Sequence, residues 1–329
     1  MSTGGDSLKG NLSSRASALT GRAFAIIVAA SMCMLLVTAP TVAAQAQSKP
    51  YRTFSTPEEA VRALAETVKA GKLEDLLTLF APDGQELVAS SDPATGRRNR
   101  EIFSVAFGEG WRLVDQDANH KVLVIGNEGW PFPVPLVKDG KSWRFDTAAG
   151  KEEVLARRIG RNELAVIGVC RTYVVAQRRY AQQGHDGKPA GLYAKSFNSD
   201  PGKQNGLFWT SPQGQSISPL GDLVAQAAEE GRALSTSGQP AEPFYGYYYK
   251  ILTGQGPASE GGARSYIVNG EMTGGFALVA WPAQYDASGV MTFIVNQSGI
   301  VFQKDLGPQT DATAKALTLY DPKGWHKVQ

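Results

Sequence analysis

Residues 152–182 read E-E-V-L-A-R-R-I-G-R-N-E-L-A-V-I-G-V-C-R-T-Y-V-V-A-Q-R-R-Y-A-Q, and this run decides the architecture. Leu155, Ile159, Val166, Cys170, Val174 and Gln177 fall on one face at helical spacing. The pattern predicts the longest helix of the chain. Gly160 and Gly168 each weaken it by about 1 kcal/mol relative to Ala. A break near Arg161-Asn162 is therefore expected, and with it a junction between two modules. Gly184-His185-Asp186-Gly187 then ends the run as a loop.

Upstream, residues 47–150 open with helices. Thr56-Pro57-Glu58-Glu59 supplies an N-cap, a proline at the first helical position and a capping-box glutamate. Val61, Leu64, Ala65 and Val68 follow on one face, and Gly71 is suited to the stop. Leu73, Leu76, Leu77 and Phe80 form a second stripe, closed by Pro82-Asp83-Gly84. Ile102, Phe103 and Ala106 mark a third, short helix ending near Gly108 and Gly110. The period then changes from helical to alternating. Strands are predicted over 111–114, 121–125, 130–137 and 142–145, with Asp139-Gly140 as a hairpin turn. Pro131, Pro133 and Pro135 restrict the third of these to a sheet edge or to extended coil, because proline cannot donate to a ladder.

Downstream, residues 151–329 carry the long helix and then a Gly-rich β region. Strands are predicted over 245–252, 264–268, 276–281, 291–295 and 300–304, with turns at Asn269-Gly270, Ser288-Gly289 and Ser298-Gly299. The fold class is therefore α+β. The first module is similar in pattern to the cone-like, nuclear-transport-factor-like superfold. The second is similar to the head of pilin-like proteins. Neither likeness fixes an activity.

Residues 1–46 have the layout of a secretory signal peptide. Lys9, Arg15 and Arg22 precede the apolar run 23–38, Pro40 breaks it, and V-A-A or A-Q-A supplies a cleavage site. The run is shorter than the ~20 residues that span a bilayer. Cys33 lies inside it, the wrong place for lipid attachment. The expected address is the periplasm or the medium, with membrane contact only through this transient segment. The chain holds 33 basic and 31 acidic residues; the leader takes Lys9, Arg15 and Arg22 against Asp6, so the remainder is formally neutral. Nothing there steers nucleic acid. Cys170 is then the one remaining cysteine, so stability must come from buried apolar area rather than an internal disulfide.

Catalytic motifs are missing from the sequence. His120, His185 and His326 are far apart, so no metal site is expected. Asp115-x-Asp117-x-Asn119 begins like a calcium loop, but His120 and Gly126 stand where Gly and Glu are required, which makes it a polar turn. Gly140-Lys141-Ser142 and Gly254-x-Gly256 lack the remaining glycines of phosphate or dinucleotide loops, so no cofactor is expected. No G-x-S-x-G is present, Ser216 and Ser218 lie in a Gln/Ser/Pro loop, and Cys170 reads as a small buried hydrophobe. Arg157, Arg158, Arg161, Arg171, Arg178 and Arg179 line the long helix. That stripe would suit an anionic glycan or lipid, but the interleaved Glu152, Glu153 and Glu163 favour a solvated face.

Two aromatic groups are the candidate ligand or partner surfaces. Trp111, Trp130, Phe132 and Trp143 would line a pocket in residues 51–150. In Phe244-Tyr245-Gly246-Tyr247-Tyr248-Tyr249, strand alternation puts Tyr245, Tyr247 and Tyr249 on one face and Phe244 and Tyr248 on the other. A core or structural role for these tyrosines competes with a binding role.

Several runs carry a family resemblance: G-W-P-F-P-V-P-L-V (129–137), W-R-F-D-T-A-A-G-K-E-E (143–153), R-R-I-G-R-N-E-L (157–164), G-L-F-W (206–209) and S-P-L-G (218–221), then G-Y-Y-Y-K-I-L-T-G-Q-G (246–256), G-G-F-A-L-V-A-W-P-A-Q-Y (274–285), M-T-F-I-V-N (291–296) and K-D-L-G (304–307). Together they resemble the uncharacterised family of exported bacterial proteins catalogued as domain of unknown function 2950, over essentially the whole chain past the leader. The resemblance implies no activity, ligand or catalytic residue. The expected role is a non-catalytic binding or assembly component of the cell envelope, with an envelope protein or a small apolar ligand as partner. The alternative is a small-ligand binder or enzyme that uses the apolar pocket in residues 51–150. A cell-wall hydrolase would need paired carboxylates in one cleft.

Overall fold

The computed structural model describes residues 51–71, 73–80, 84–88, 93–210, 218–229 and 243–328. The expected leader, Pro82-Asp83 and Ser216 lie outside the described residues. The first helix, Pro57–Ala70 (α1), begins where the local chemistry dictates. Thr56 accepts the Glu59 amide on its side chain, and the Glu59 carboxylate reaches back to accept the amide of Ser55, one residue before the cap. Gly71, at φ +70°, ends it in the left-handed conformation that favours glycine. Leu73–Phe80 (α2), Gln85–Val88 (α3) and Pro93–Glu109 (α4) follow. The last is much longer than the short helix its apolar triplet suggests.

Five strands come next: Trp111–Asp115 (β1), His120–Ile125 (β2), Trp130–Pro131 (β3), Leu136–Asp139 (β4) and Ser142–Phe145 (β5). They form one antiparallel sheet in the order β1-β2-β4-β5, with β3 pairing the far half of β2. The predicted strand over 130–137 is thus two short pieces. The prolines between them withhold amides from the ladder, and the chain detours there. The helices pack on this sheet around a core that includes Leu64, Leu79, Leu123, Leu136 and Phe145, all essentially inaccessible.

Thr147–Ala181 (α5) is a single helix of 35 residues, roughly 50 Å long. The expected break at Arg161-Asn162 is absent, and the helix starts at Thr147, five residues before the expected start at Glu152. Asp146 caps it by accepting the Ala149 amide, and the Thr147 hydroxyl donates to Phe80 O at 3.1 Å. Gly150 is pressed against Val134, where a Cβ would lie 2.8 Å from a methyl. The far half, from Val166 to Tyr180, is buried against a second core. Anchorage at both ends outweighs the glycine penalties in the middle.

After α5 come Gly221–Glu229 (α6), Tyr247–Leu252 (β6), Gly254–Gln255 (β7), Arg264–Ser265 (β8), Ile267–Val268 (β9), Glu271–Met272 (β10), Ala277–Pro282 (β11), Met291–Asn296 (β12) and Val301–Asp305 (β13). A single 3-10 turn, Gly307–Gln309, leads into Thr310–Ala316 (α7), Leu319–Tyr320 (β14) and His326–Lys327 (β15). The main sheet is antiparallel in the order β15-β13-β12-β11-β6. Every position of β11 is buried, so both sheet faces are covered, with α5 and α7 both packing against it. The predicted strand over 264–268 is two pieces in different sheets: β8 pairs β7, which also takes β14 in parallel, and β9 pairs β10. Asn269 and Gly270, at φ +52° and +81°, close the β9–β10 hairpin as a type I′ turn. The fold is α+β.

Candidate functional site

The two aromatic groups singled out in the sequence behave differently. In the second half, Tyr245 is not on a strand face. Tyr245 and Gly246 have φ of +50° and +73° and form the two-residue turn of a tight hairpin, in which Phe244 and Tyr247 exchange backbone hydrogen bonds of 2.9 and 3.1 Å. The strand begins only at Tyr247. That side chain is fully buried, and its hydroxyl donates to Met291 O at 2.9 Å. Burial pushes its phenol up, and Glu163 nearby adds to the shift. The Tyr249 hydroxyl donates to Phe244 O at 3.1 Å. These tyrosines are used to hold their own hairpin to the sheet.

In the first half, rings run in a continuous chain. Trp111 stacks on Phe107 at 5.9 Å, and Phe107 on Phe103 at 5.9 Å. Phe103 meets the edge of Phe132 at 5.7 Å, and Phe132 meets both Trp130 and Phe145 at 6.4 Å. Phe145 ends on Phe80 at 5.2 Å. Trp143 stands apart from this chain: it is buried, paired with Phe54 through two 2.8 Å backbone hydrogen bonds, and faced by the Lys121 ammonium at 5.7 Å.

A cavity of about 960 Å³ opens beside this chain of rings. It is at the upper end of the volumes typical of small-molecule sites. Its floor is Leu64, Val68 and Phe80 from α1 and α2, with Phe103 and Phe132 on one wall. Of the four aromatics proposed from sequence, Trp130 and Phe132 line it; Trp111 and Trp143 do not. Its mouth carries Ile102, Val105 and Trp130, which are 57, 65 and 45 % exposed. On α4 Phe103 is buried, and the i, i+3 pair Ile102 and Val105 forms an exposed apolar stripe at the opening.

The remaining wall is α5, through Val154, Arg157, Arg158 and Arg161. Arg158 and Arg161 are exposed, in keeping with the solvated stripe read from the sequence, and with the half-buried Arg157 they also line one side of the cavity. Arg157 is braced. Its Nε donates to Glu153 Oε1 at 2.7 Å, its Nη1 to Pro131 O at 2.8 Å, and its guanidinium lies 5.8 Å from the Trp130 ring. Glu109 is likewise occupied, its Oε2 accepting the Asn127 amide at 2.9 Å. Arg158 and Arg161 make no ion pair among the described residues. Glu101, Glu128 and Arg100 complete the charged lining. No histidine, serine or cysteine is among the described lining residues.

The other motifs have structural uses. The Asp117 carboxylate accepts the Asn119 and His120 amides at 2.7 and 2.9 Å, closing a polar turn, and these bonds hold it below its ordinary value. Gly140 sits at φ +60° in the β4–β5 hairpin. His185 stacks on Tyr180 at 4.1 Å, and Asp186 accepts the Gln204 amide. Among the described residues no three His, Cys, Asp or Glu side chains gather where they could hold a metal ion. No described helix is long and apolar enough to cross a membrane.

A family model described as "Protein of unknown function (DUF2950)" matches residues 51–328. The chain belongs to the DUF2950 family. The match covers both cores, the whole of α5 and every residue of the cavity lining. No curated protein matches the chain, and no solved structure does.

Proposed function

We propose that this DUF2950 member is an exported, non-catalytic binding component of the bacterial cell envelope, and that its ligand lies in the cavity between α4, α5 and the first sheet. One observation carries the reading: a cavity of about 960 Å³ whose mouth leaves Ile102, Val105 and Trp130 in contact with water. Apolar side chains gathered at a concave opening stabilise a bound apolar group by about 25 cal/mol per Å² removed from water. Among the described lining residues there is no serine, cysteine or histidine, which supports binding over acyl-transfer chemistry, while Glu101, Glu109 and Glu128 are the carboxylates on which the hydrolase alternative would rest. The basic, apolar and small-residue order of residues 1–46 supports export.

Titration of the purified protein with the uncharged fluorophore N-phenyl-1-naphthylamine tests the site. Saturable binding near one per chain is expected, falling at least tenfold in Val105→Asp and Trp130→Ala. Absence of saturable binding would remove the cavity from consideration. Release of sugar from purified cell wall would move the assignment to a hydrolase. N-terminal sequencing of the protein from envelope fractions tests export; a product beginning at Ser2 in the cytosol would contradict it.

A further inference from the structure

The proposed site has a polarity of its own, and it originates in α5. This helix is buried at Thr147 and Gly150, and again from Val166 onward, but no position from 151 to 165 is buried. Between its two buried ends the helix is half-buried or exposed, held by Arg157 on Pro131 O and by Asn162 and Glu163 on residues 288–291, and one side of this span lines the cavity. At 3.6 residues per turn, Val154, Arg157, Arg158 and Arg161 fall within an arc of about 100°. One aliphatic and three guanidinium side chains therefore face the same opening. Arg157 is committed to Glu153, Pro131 O and the Trp130 ring. Arg158 and Arg161 have no acid partner among the described residues. The acids of the lining belong to other elements: Glu101 and Glu109 to α4, and Glu128 to the turn after β2. Glu109 is engaged by the Asn127 amide.

We infer that the cavity takes a free single-chain amphiphile with an anionic head, its apolar part against Ile102, Val105 and Trp130 and its head on Arg158 and Arg161. The inference rests on the binding reading above and adds the class of ligand. Guanidinium suits this task because its planar fork pairs two N–H donors with the two oxygens of a carboxylate, and it is less strongly hydrated than an ammonium. The concave shape selects a monomer rather than a bilayer surface. Leu64, Val68 and Phe80 lie deep in the floor, where a chain entering singly reaches them and a flat array of headgroups does not.

Displacement of N-phenyl-1-naphthylamine from the purified protein by three twelve-carbon amphiphiles is the test: laurate, 1-monolauroylglycerol and dodecyltrimethylammonium, each below its micelle concentration. Laurate is expected to displace the probe at about tenfold lower concentration than monolauroylglycerol, with dodecyltrimethylammonium the weakest. In Arg158→Gln/Arg161→Gln the laurate advantage falls to parity, while Arg171→Gln, on the same helix outside the cavity, retains it. Probe binding with no laurate preference, or with preference for the ammonium, overturns the head-group inference and leaves the cavity reading standing. Failure of the probe to bind overturns both. Sedimentation with phosphatidylglycerol vesicles without displacement by monomeric laurate also overturns it, in favour of a membrane surface.

Discussion

Glu163 shows how much a single side chain can connect. Its Oε1 accepts the amides of Val290 and Met291, both at 2.9 Å, and lies 3.5 Å from the Tyr247 hydroxyl. Its neighbour Asn162 donates to Ser288 O at 2.9 Å. Together they fasten α5 to the turn between β11 and β12. Hydrogen bonds to a charged acceptor contribute about 1.5–3 kcal/mol, so Glu163→Ala should lower unfolding stability by that amount in urea titration, and Glu163→Gln by less. None of this was legible in the sequence, because the partners stand 84 to 128 positions away. Cys170 was legible: its place on the apolar helix stripe implied burial, and it is fully buried. Burial pushes its thiol up to about 12. Native protein at pH 8 should leave Cys170 unmodified by iodoacetamide, and denatured protein should label it, as read by peptide mass. Rapid native labelling would contradict the packing described for α5.

At the scale of elements, the same substitution should have opposite signs along α5. Gly168 has nothing within 4 Å of a would-be Cβ, so Gly168→Ala is expected to stabilise by about 1 kcal/mol. At Gly150 the new methyl would meet Val134, a stiff branched side chain that is itself buried, so Gly150→Ala should destabilise by about 1–3 kcal/mol. Thermal unfolding of the two variants decides it. A titratable contact holds α7 to β11. The Lys315 ammonium, and then the Trp281 Nε1–H donated to it at 3.0 Å, hold the Asp311 carboxyl below its ordinary value of 3.8. A lowered folded pKa gives stability that is present above 3.8 and is lost as pH falls through the folded value. The urea midpoints of wild type and Asp311→Asn should therefore differ above pH 3.8 and converge as the pH falls below it through the lowered folded value. Element ends were the readable part of this fold. Thr56, Gly71 and Asn269-Gly270 act through residues within a few positions of themselves and do what their local chemistry implies, whereas the hairpin expected at Asp139-Gly140 turns one residue later, on Gly140-Lys141, with Asp139 pairing Ser142 as the last residue of β4. The continuity of α5 was not readable, since helix propensity registers Gly160 but not the anchorage at Thr147, Gly150 and Val166 that overrides it.

For the whole molecule, the two cores share one helix. Phe80, Val134 and Pro131 hold its first turns, and Tyr173, Val174 and Gln177 are buried in the second core. Loss of either core removes the anchorage that keeps α5 straight. Urea unfolding followed by tryptophan fluorescence and by far-ultraviolet circular dichroism should give coincident transitions. Two separated transitions would show that the cores unfold independently. The cavity belongs to this scale as well. It is assembled from α1, α2, α3, α4, the β2–β3 region and the unburied span of α5, so no local run of sequence announces it. Trp130 and Phe132 were visible as unusual aromatics. Arg158 and Arg161 were visible only as charges, and their meaning depends on what the fold places beneath them.

The proline-rich detour after β3 has a consequence for behaviour in a crowded compartment. Pro131, Pro133 and Pro135 have no amide hydrogen, and the Phe132 amide is turned inward to Leu123 O at 2.7 Å. The rim that exposes Trp130 therefore lacks the row of donors on which a foreign strand could zip. At residues 131–135 contact with a foreign chain is therefore left to side chains rather than to a backbone ladder.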